Sequence, residues 1–122
     1  MITQVNINNK FELIKEYWTP KIIGELNGQY VKLAKIKGEL IWHNHQDEDE
    51  MFIVFKGTLI MDFRDKTTET KQGEILIIPK GVDHRPRTKE EEEVWIMLIE
   101  PKETKHTGGI EHEKTVNKFE WI

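Results

Sequence analysis

Apolar residues recur along this chain in short runs, most of them alternating with polar ones and bounded by turn residues, a pattern that predicts β-strands more than helices. One helical period stands near the N-terminus. Phe11, Ile14 and Trp18 recur at intervals of three and four, with Leu13 and Tyr17 beside them, and predict a helix over 10–18, capped by Asn9, ended by Thr19-Pro20 and packed outside the body. Residues 24–28 read as a loop, and 29–37 as a strand with Tyr30, Val31, Leu33, Ala34 and Ile36 set among lysines. The stretch from Trp42 to Gly57 alternates, breaks into an acidic loop and resumes as an apolar run, which predicts two antiparallel strands joined by 46–49. After Gly57, 58–64 continues as a strand with Leu59, Met61 and Phe63 on one face, and 65–72 reads as a polar hairpin tip with nothing to bury. Residues 75–78 are continuously apolar, as a strand covered on both faces would be, and Pro79 and Gly81 make the turn after it. Residues 85–93 are highly charged and read as a solvated loop or strand margin. Residues 94–99 form the last core strand, which Glu100-Pro101 breaks. Residues 102–109 are expected to fold back over the body, and 116–122 to dock as a short edge strand on the body or on a partner subunit, which covers Phe119 and Trp121. Many short strands with turn signals predict an all-β, antiparallel jelly-roll barrel with a short N-terminal helix, in one domain over 1–122.

The chemistry gathers where the alternation is cleanest. Residues two apart on a strand share a face, so His43 and His45 project together, and a four-residue loop would return Glu50 beside His45. The turn after 75–78 delivers a third histidine, His84. Three neutral nitrogens and one carboxylate oxygen suit a borderline divalent transition metal and leave two of six octahedral positions open. An isolated H-x-H is weak evidence by itself, and Glu50 lies in an acidic run with Asp47, Glu48 and Asp49 that otherwise reads as a solvated loop. Parity and spacing alone single Glu50 out.

The stretch over 38–57 resembles the first cupin motif, G-x5-H-x-H-x4-E-x6-G, and 73–88 resembles the second, G-x5-P-x-G-x2-H-x3-N. His43, His45, Glu50 and Gly57 fall at the family spacing, as do Gly73, Pro79, Gly81 and His84. The resemblance implies that His43, His45, Glu50 and His84 occupy the four metal-ligand positions. Two positions depart from it. Gly38 lies one residue too near His43, and Thr88 stands where the motif closes with Asn. Neither is a ligand position. The family spans isomerases, epimerases, dioxygenases, decarboxylases, storage proteins and sensing domains, so the likeness implies a fold without naming a reaction.

Composition removes other readings. A formal net charge of -4 with 33% charged residues gives a solvated surface with no general attraction for phosphate backbones, so nucleic acid is not an expected partner. With no cysteine, disulfides, thiolate ligands and cysteine nucleophiles are excluded together. The first residues lack a basic start and a long apolar stretch, and no apolar run approaches a membrane span, so the expected location is the cytoplasm, with no membrane partner.

Parity also sketches the surroundings of the site. Ile41 shares a face with His43, and Phe52 and Val54 with Glu50, so an apolar pocket is expected; beyond His84, Pro86 and Thr88 point inward and Arg85 and Arg87 outward, paired with nearby glutamates. His106 and His112 lie away from any ligand spacing and read as surface histidines, with a place on a lid as the lesser alternative. A divalent ion (Fe, Mn, Ni, Zn or Co) with three imidazoles and one carboxylate carries a formal charge near +1, attractive to an anionic small molecule such as a carboxylate, enolate or enediolate. No second acid or base is evident, which favours oxidative, dioxygenase-like chemistry slightly over sugar isomerisation; the alternative is a non-catalytic module that binds or senses a metal and a small ligand. The apolar helix and the Phe119-Glu120-Trp121 tail are expected to support a homodimer.

Overall fold

In the computed structural model, which describes residues 2–122, the chain runs α1 (Ile7–Leu13), β1 (Lys21–Leu26), β2 (Gln29–Ile36), β3 (Glu50–Lys56), β4 (Thr58–Phe63), β5 (Thr67–Lys71), β6 (Ile75–Ile78), β7 (His84–Arg87), β8 (Val94–Pro101) and β9 (Glu120–Trp121). One sheet has the order β6-β3-β8-β2-β1-β9 and the other β5-β4-β7. The neighbours are antiparallel except β1 with β9. The two sheets pack as a jelly-roll sandwich and do not close into a continuous barrel.

Period-two alternation gives the large sheet two apolar faces. On β8, Val94, Ile96 and Leu98 point between the sheets while Trp95, Met97 and Ile99 point outward, and β2 and β3 follow the same parity through Ala34↔Ile96 and Phe52↔Leu98. The inner residues meet Leu59 and Met61 of β4 in the main core. The outer face is covered in part by α1, whose Phe11 and Ile14 are buried with Ile23, Leu33 and Met97, the Phe11 ring stacking on Trp95 at 4.8 Å between centroids. Each fully buried side chain of this size contributes about 1.5–3 kcal/mol.

Several elements differ from the expectations. The helix is capped by Asn6 and not Asn9: the Asn6 side chain accepts from the Asn9 backbone N–H at 2.9 Å, and the helix ends at Leu13. Trp18, at a φ of 56°, turns into the core between the sheets, where its Nε1–H donates to the Lys37 carbonyl at 2.9 Å. The apolar series that looks like one helix face therefore serves two cores. The expected loop over 24–28 is mostly β1, closed on β2 by Asn27 and Gly28 at φ of 49° and 75°, the backbone of a two-residue hairpin turn. The polar stretch 65–72 contains β5, which pairs with β4 and buries Thr70. β6 is an edge strand with one open face, so Ile75 and Ile77 are each 56% exposed where cover on both sides was expected. β8 extends through Pro101, past the expected break. The tail docks as an edge strand, β9 lying on β1 and Trp121 meeting the Tyr30 ring edge-on at 5.8 Å, but Trp121 stays 56% exposed where cover was expected.

Candidate metal centre

The segment leading to the first two histidines does not form a hairpin with β3. It runs antiparallel to β7 in the other layer, with Leu40 N–H donating to Pro86 O, His43 N–H to His84 O at 3.0 Å, His84 N–H to His43 O at 2.9 Å and Gly81 N–H to His45 O. Its alternation was enough to specify a face and not enough to specify a partner strand. Glu50, the first residue of β3, therefore approaches from the opposite sheet. The four side chains still converge. Nitrogens of His43, His45 and His84 lie within 4.8 Å of one another, and Glu50 Oε1 is 3.1 Å from His45 Nε2 and 3.3 Å from His84 Nε2. All four residues are buried, whereas Asp47 and Asp49 of the same acidic run are exposed.

Backbone carbonyls orient two of the rings. His43 Nδ1 lies 2.8 Å from Ile41 O and His84 Nδ1 lies 2.9 Å from Val82 O, so each Nδ1 carries the proton and leaves the Nε2 lone pair facing inward. His84 Nε2, both ring nitrogens of His45 and Glu50 Oε1 are buried with no well-aligned hydrogen-bond partner. Buried polar atoms normally find partners, and a set of inward lone pairs converging without one fits a cation bound between them. Burial pushes the His43 imidazole down to about 4, with the neighbouring His84 adding to the effect, so it is a neutral donor at pH 7. Burial opposes ionisation of Glu50; His45 and His84 hold its carboxyl well below the usual carboxylate range only while their rings donate to it, a role that a bound cation would take over where the Nε2 atoms are lone pairs. The donor set of neutral nitrogens and one carboxylate oxygen thus suits a divalent transition ion.

A second carboxylate, missed in the sequence, stands behind the first. Glu100 is buried on the inner face of β8, and its pKa is raised by burial and then by the charge of Glu50 beside it. Lys32, fully buried on β2, donates to Glu100 Oε1 at 2.8 Å and places its ammonium 3.6 Å from the centre of the Phe119 ring. Parity carries the signal for both: Lys32 shares its face with Ala34 and Ile36, and Glu100 with Ile96 and Leu98. The expectation that no second acid or base lies near the site is therefore corrected.

The cavity beside the triad, about 40 Å³, has walls of Trp18, Leu40, Phe52, Pro86, Ile96 and Leu98, with His43, Glu50, His84 and His106 as its polar groups. Leu40 takes the wall position expected for Ile41, because the register slips by one residue between the Glu39–Arg87 and His43–His84 bridges, and Val54 lies deeper in the core. His106 is half-buried here rather than a surface residue. Pro86 and Thr88 do point inward, and Arg85 and Arg87 both clamp Asp62 of β4, at 2.9 and 2.7 Å; of the expected glutamate partners only Glu39 is met among the described residues, 3.9 Å from Arg85. The two departures from the motif meet each other: Gly38 N–H donates to Thr88 Oγ1 at 2.9 Å while Thr88 N–H donates to Gly38 O at 2.8 Å.

Four known relatives or families resemble this chain. A family model described as the cupin domain matches residues 30–100. The chain is 46% identical over 76 residues to protein YdbB of Bacillus subtilis (strain 168), covering 62% of this chain and 67% of that one. The crystal structure of a cupin-2 domain containing protein from Shewanella frigidimarina NCIMB 400 superposes with a TM-score of 0.78 at 48% identity, covering 80% of this chain and 94% of that one. Protein NMB1881 from Neisseria meningitidis gives a TM-score of 0.73 at 33% identity, covering 82% of this chain and all of its own.

Proposed function

The chain belongs to the cupin domain family, and on that premise we propose that it is a metal-dependent enzyme acting on a small molecule, with His43, His45, Glu50 and His84 as the ligands of one divalent transition ion (Fe, Mn, Ni, Zn or Co). The observation that supports this reading most is the group of inward, unpartnered nitrogen and carboxylate atoms at the centre of the sandwich. An ion held there supplies Lewis acidity toward a carbonyl or enolate oxygen and, if it is iron, one-electron chemistry with dioxygen. The chain supplies the rest. Ring orientation by Ile41 O and Val82 O keeps two lone pairs aimed at one point, and the apolar walls exclude water from that point.

Those walls favour oxidative chemistry on an enolisable or aromatic ligand over sugar-phosphate isomerisation. Among the described residues lining the cavity none is Lys or Arg: Lys32 is engaged by Glu100, and Arg85 and Arg87 by Asp62. A phosphate would find no cation there beyond the metal. Metal content of the purified protein, measured by mass spectrometry beside a His84→Ala variant prepared identically, tests the reading. Near-stoichiometric transition metal that is lost in the variant supports it. No metal in either protein after anaerobic reconstitution refutes it. The second reading, a non-catalytic metal- and ligand-binding module, gains from tight binding without oxygen uptake or product across a panel of enediols, diketones and catechols.

The reading includes a homodimer in the cytoplasm. No helix among the described residues is long and apolar enough to cross a membrane. The helix offers little to a partner, since Phe11 and Ile14 face its own sheet; the open edge of β6, with exposed Ile75 and Ile77, supports pairing better. Light scattering at micromolar concentration decides between monomer and dimer.

A further inference from the structure

We propose that His106, on the loop after β8, is a ligand-binding residue whose Nε2–H donates a hydrogen bond to an oxygen of a small chelating anion seated over the histidine triad. The inference deepens the metal-centre reading and rests on it. Its substrate class is a small O,O-chelating anion with an apolar body about the size of a methyl group, such as a short hydroxamate or enediolate, in keeping with a cavity of about 40 Å³.

The tautomer carries the argument. The backbone N–H of Val116 donates to His106 Nδ1 at 2.9 Å, and an amide N–H has no lone pair to offer in return. Nδ1 is thus the acceptor, and the ring proton lies on Nε2. This is the opposite of His43 and His84, whose Nδ1 protons face carbonyl oxygens and whose Nε2 atoms are lone pairs. Two rings offer lone pairs between the sheets, and a third, which also lines the cavity, carries its proton on the nitrogen that Val116 leaves free. No protein partner for Nε2 of His106 occurs among the hydrogen bonds of the described residues, and His106 stands outside the triad whose nitrogens share a 4.8 Å sphere. A neutral N–H donor is no metal ligand, whereas it matches an oxygen already held by one.

The loop is built to hold that ring in place. Thr107 is buried, with its hydroxyl donating to Ile110 O at 2.5 Å and lying 2.7 Å from Thr115 Oγ1, and Lys114 Nζ donates to Glu39 O. At Gly108, with φ +62°, a Cβ would stand 1.9 Å from the carbonyl oxygen of Asn44, the residue between His43 and His45. Only glycine lets the loop rest on the ligand-bearing segment. Phe119 packs edge-on against the His106 ring at 6.2 Å. Burial, with Lys32 adding to it, lowers the His106 pKa to about 4, so the ring stays neutral at pH 7 and keeps one donor and one acceptor.

The test uses cobalt(II)-loaded protein and acetohydroxamate, a bidentate anion with a methyl body, followed by the visible cobalt spectrum. His106→Phe is expected to bind cobalt as the wild type does and to bind acetohydroxamate roughly tenfold more weakly or worse, with His106→Gln, which keeps a donor, recovering most of the loss. Equal acetohydroxamate affinity in all three cobalt-loaded proteins overturns the proposal, and so does an equal loss in both variants, which would indicate packing and no donor. A wild type that takes up no cobalt removes the metal reading itself, and the proposal with it. A long-range nitrogen–proton NMR correlation on the wild type needs no variant: the Nε2–H tautomer at His106 is expected, and the Nδ1–H tautomer overturns the proposal.

Discussion

Two charged clusters on opposite sides of the small sheet and the large one have almost the same ingredients and different fates. At Asp62 one carboxylate meets two guanidinium groups and a hydroxyl: Arg85, Arg87 and Thr67 all donate to it, and neither carboxylate oxygen lacks a partner. At the candidate metal centre two carboxylates, Glu50 and Glu100, share one ammonium from Lys32 and two imidazole contacts, and Oε1 of Glu50 and Oε2 of Glu100 remain without an aligned hydrogen bond. The first cluster is electrostatically complete and half open to water through its arginines, so it stabilises and does little else. The second is short of positive charge inside the sandwich. A fold keeps such a deficit where a cation or a ligand makes it good.

The comparison breaks most visibly at Lys32. Lys32→Met leaves Glu100 buried beside Glu50 with no counter-charge and is expected to cost about 3–5 kcal/mol in urea unfolding of the metal-free protein. The double variant Lys32→Met/Glu100→Leu is expected to recover most of that loss, because both charges then leave the interior together. A single variant within about 1 kcal/mol of wild type would mean that Glu100 is neutral without help, and the contrast between the clusters would disappear.

The second effect in size concerns metal. Glu50→Gln removes the charge while keeping the shape, and its affinity for cobalt or zinc in calorimetry is expected to fall by more than roughly 100-fold, beyond the usual effect of losing a residue that only supports a ligand. Glu48→Ala, two residues away in the acidic run, is expected to leave affinity unchanged. The reverse order would remove Glu50 from the ligand set.

Asp62→Asn comes next, at about 1–2 kcal/mol, because the two arginines it releases turn to water. The hydrogen bond from Arg87 is the chief reason that the Asp62 carboxyl is lowered to about 2, against burial, which opposes it. A carboxyl lowered in the folded state contributes stability above its unfolded value near 3.8, and loses it as pH falls through the folded value of about 2. Chemical denaturation between roughly pH 5 and 2 should therefore show a falling limb in the wild type that is flatter in Asp62→Asn. An identical limb in both proteins would assign the acid sensitivity elsewhere.

The contrast between these clusters also marks how far the sequence is legible. Strand parity reads the inner face of β2, β3 and β8 well, and spacing brings His43, His45, Glu50 and His84 to one place, since a period of two ties face to position without any knowledge of partners. Pairing is a different kind of information. That 39–45 lies along β7 and not β3 depends on how the chain crosses between layers, and alternation is silent on it. β1 and β5 were hidden for opposite reasons: Asn27-Gly28 is a hairpin signal that the neighbouring Gly24 obscures, while Thr67–Lys71 has a strand's β-branched residues without apolar alternation. Lys32 and Glu100 were legible by parity, as charged residues on an apolar face. His106 was not, because its distance from the triad is set by a loop that closes only when Gly108 meets Asn44.

The smallest expected effect lies at the two positions where this chain departs from the family motif. Gly38 and Thr88 hold each other through a backbone bond in one direction and the Thr88 hydroxyl in the other. Thr88→Val keeps the shape and loses the acceptor for the Gly38 N–H, which is expected to cost about 1 kcal/mol. Thr88→Asn restores an acceptor and is expected within about 0.5 kcal/mol of wild type, with metal affinity unchanged in both variants. The contact sits at the far end of the same ladder that carries His43 and His84, with the Glu39–Arg87 bridge between them. A metal affinity that followed the Thr88 substitutions would show that the ladder transmits register to the site, and the division between a cluster that stabilises and a cluster that binds would then run through the backbone as well as the charges.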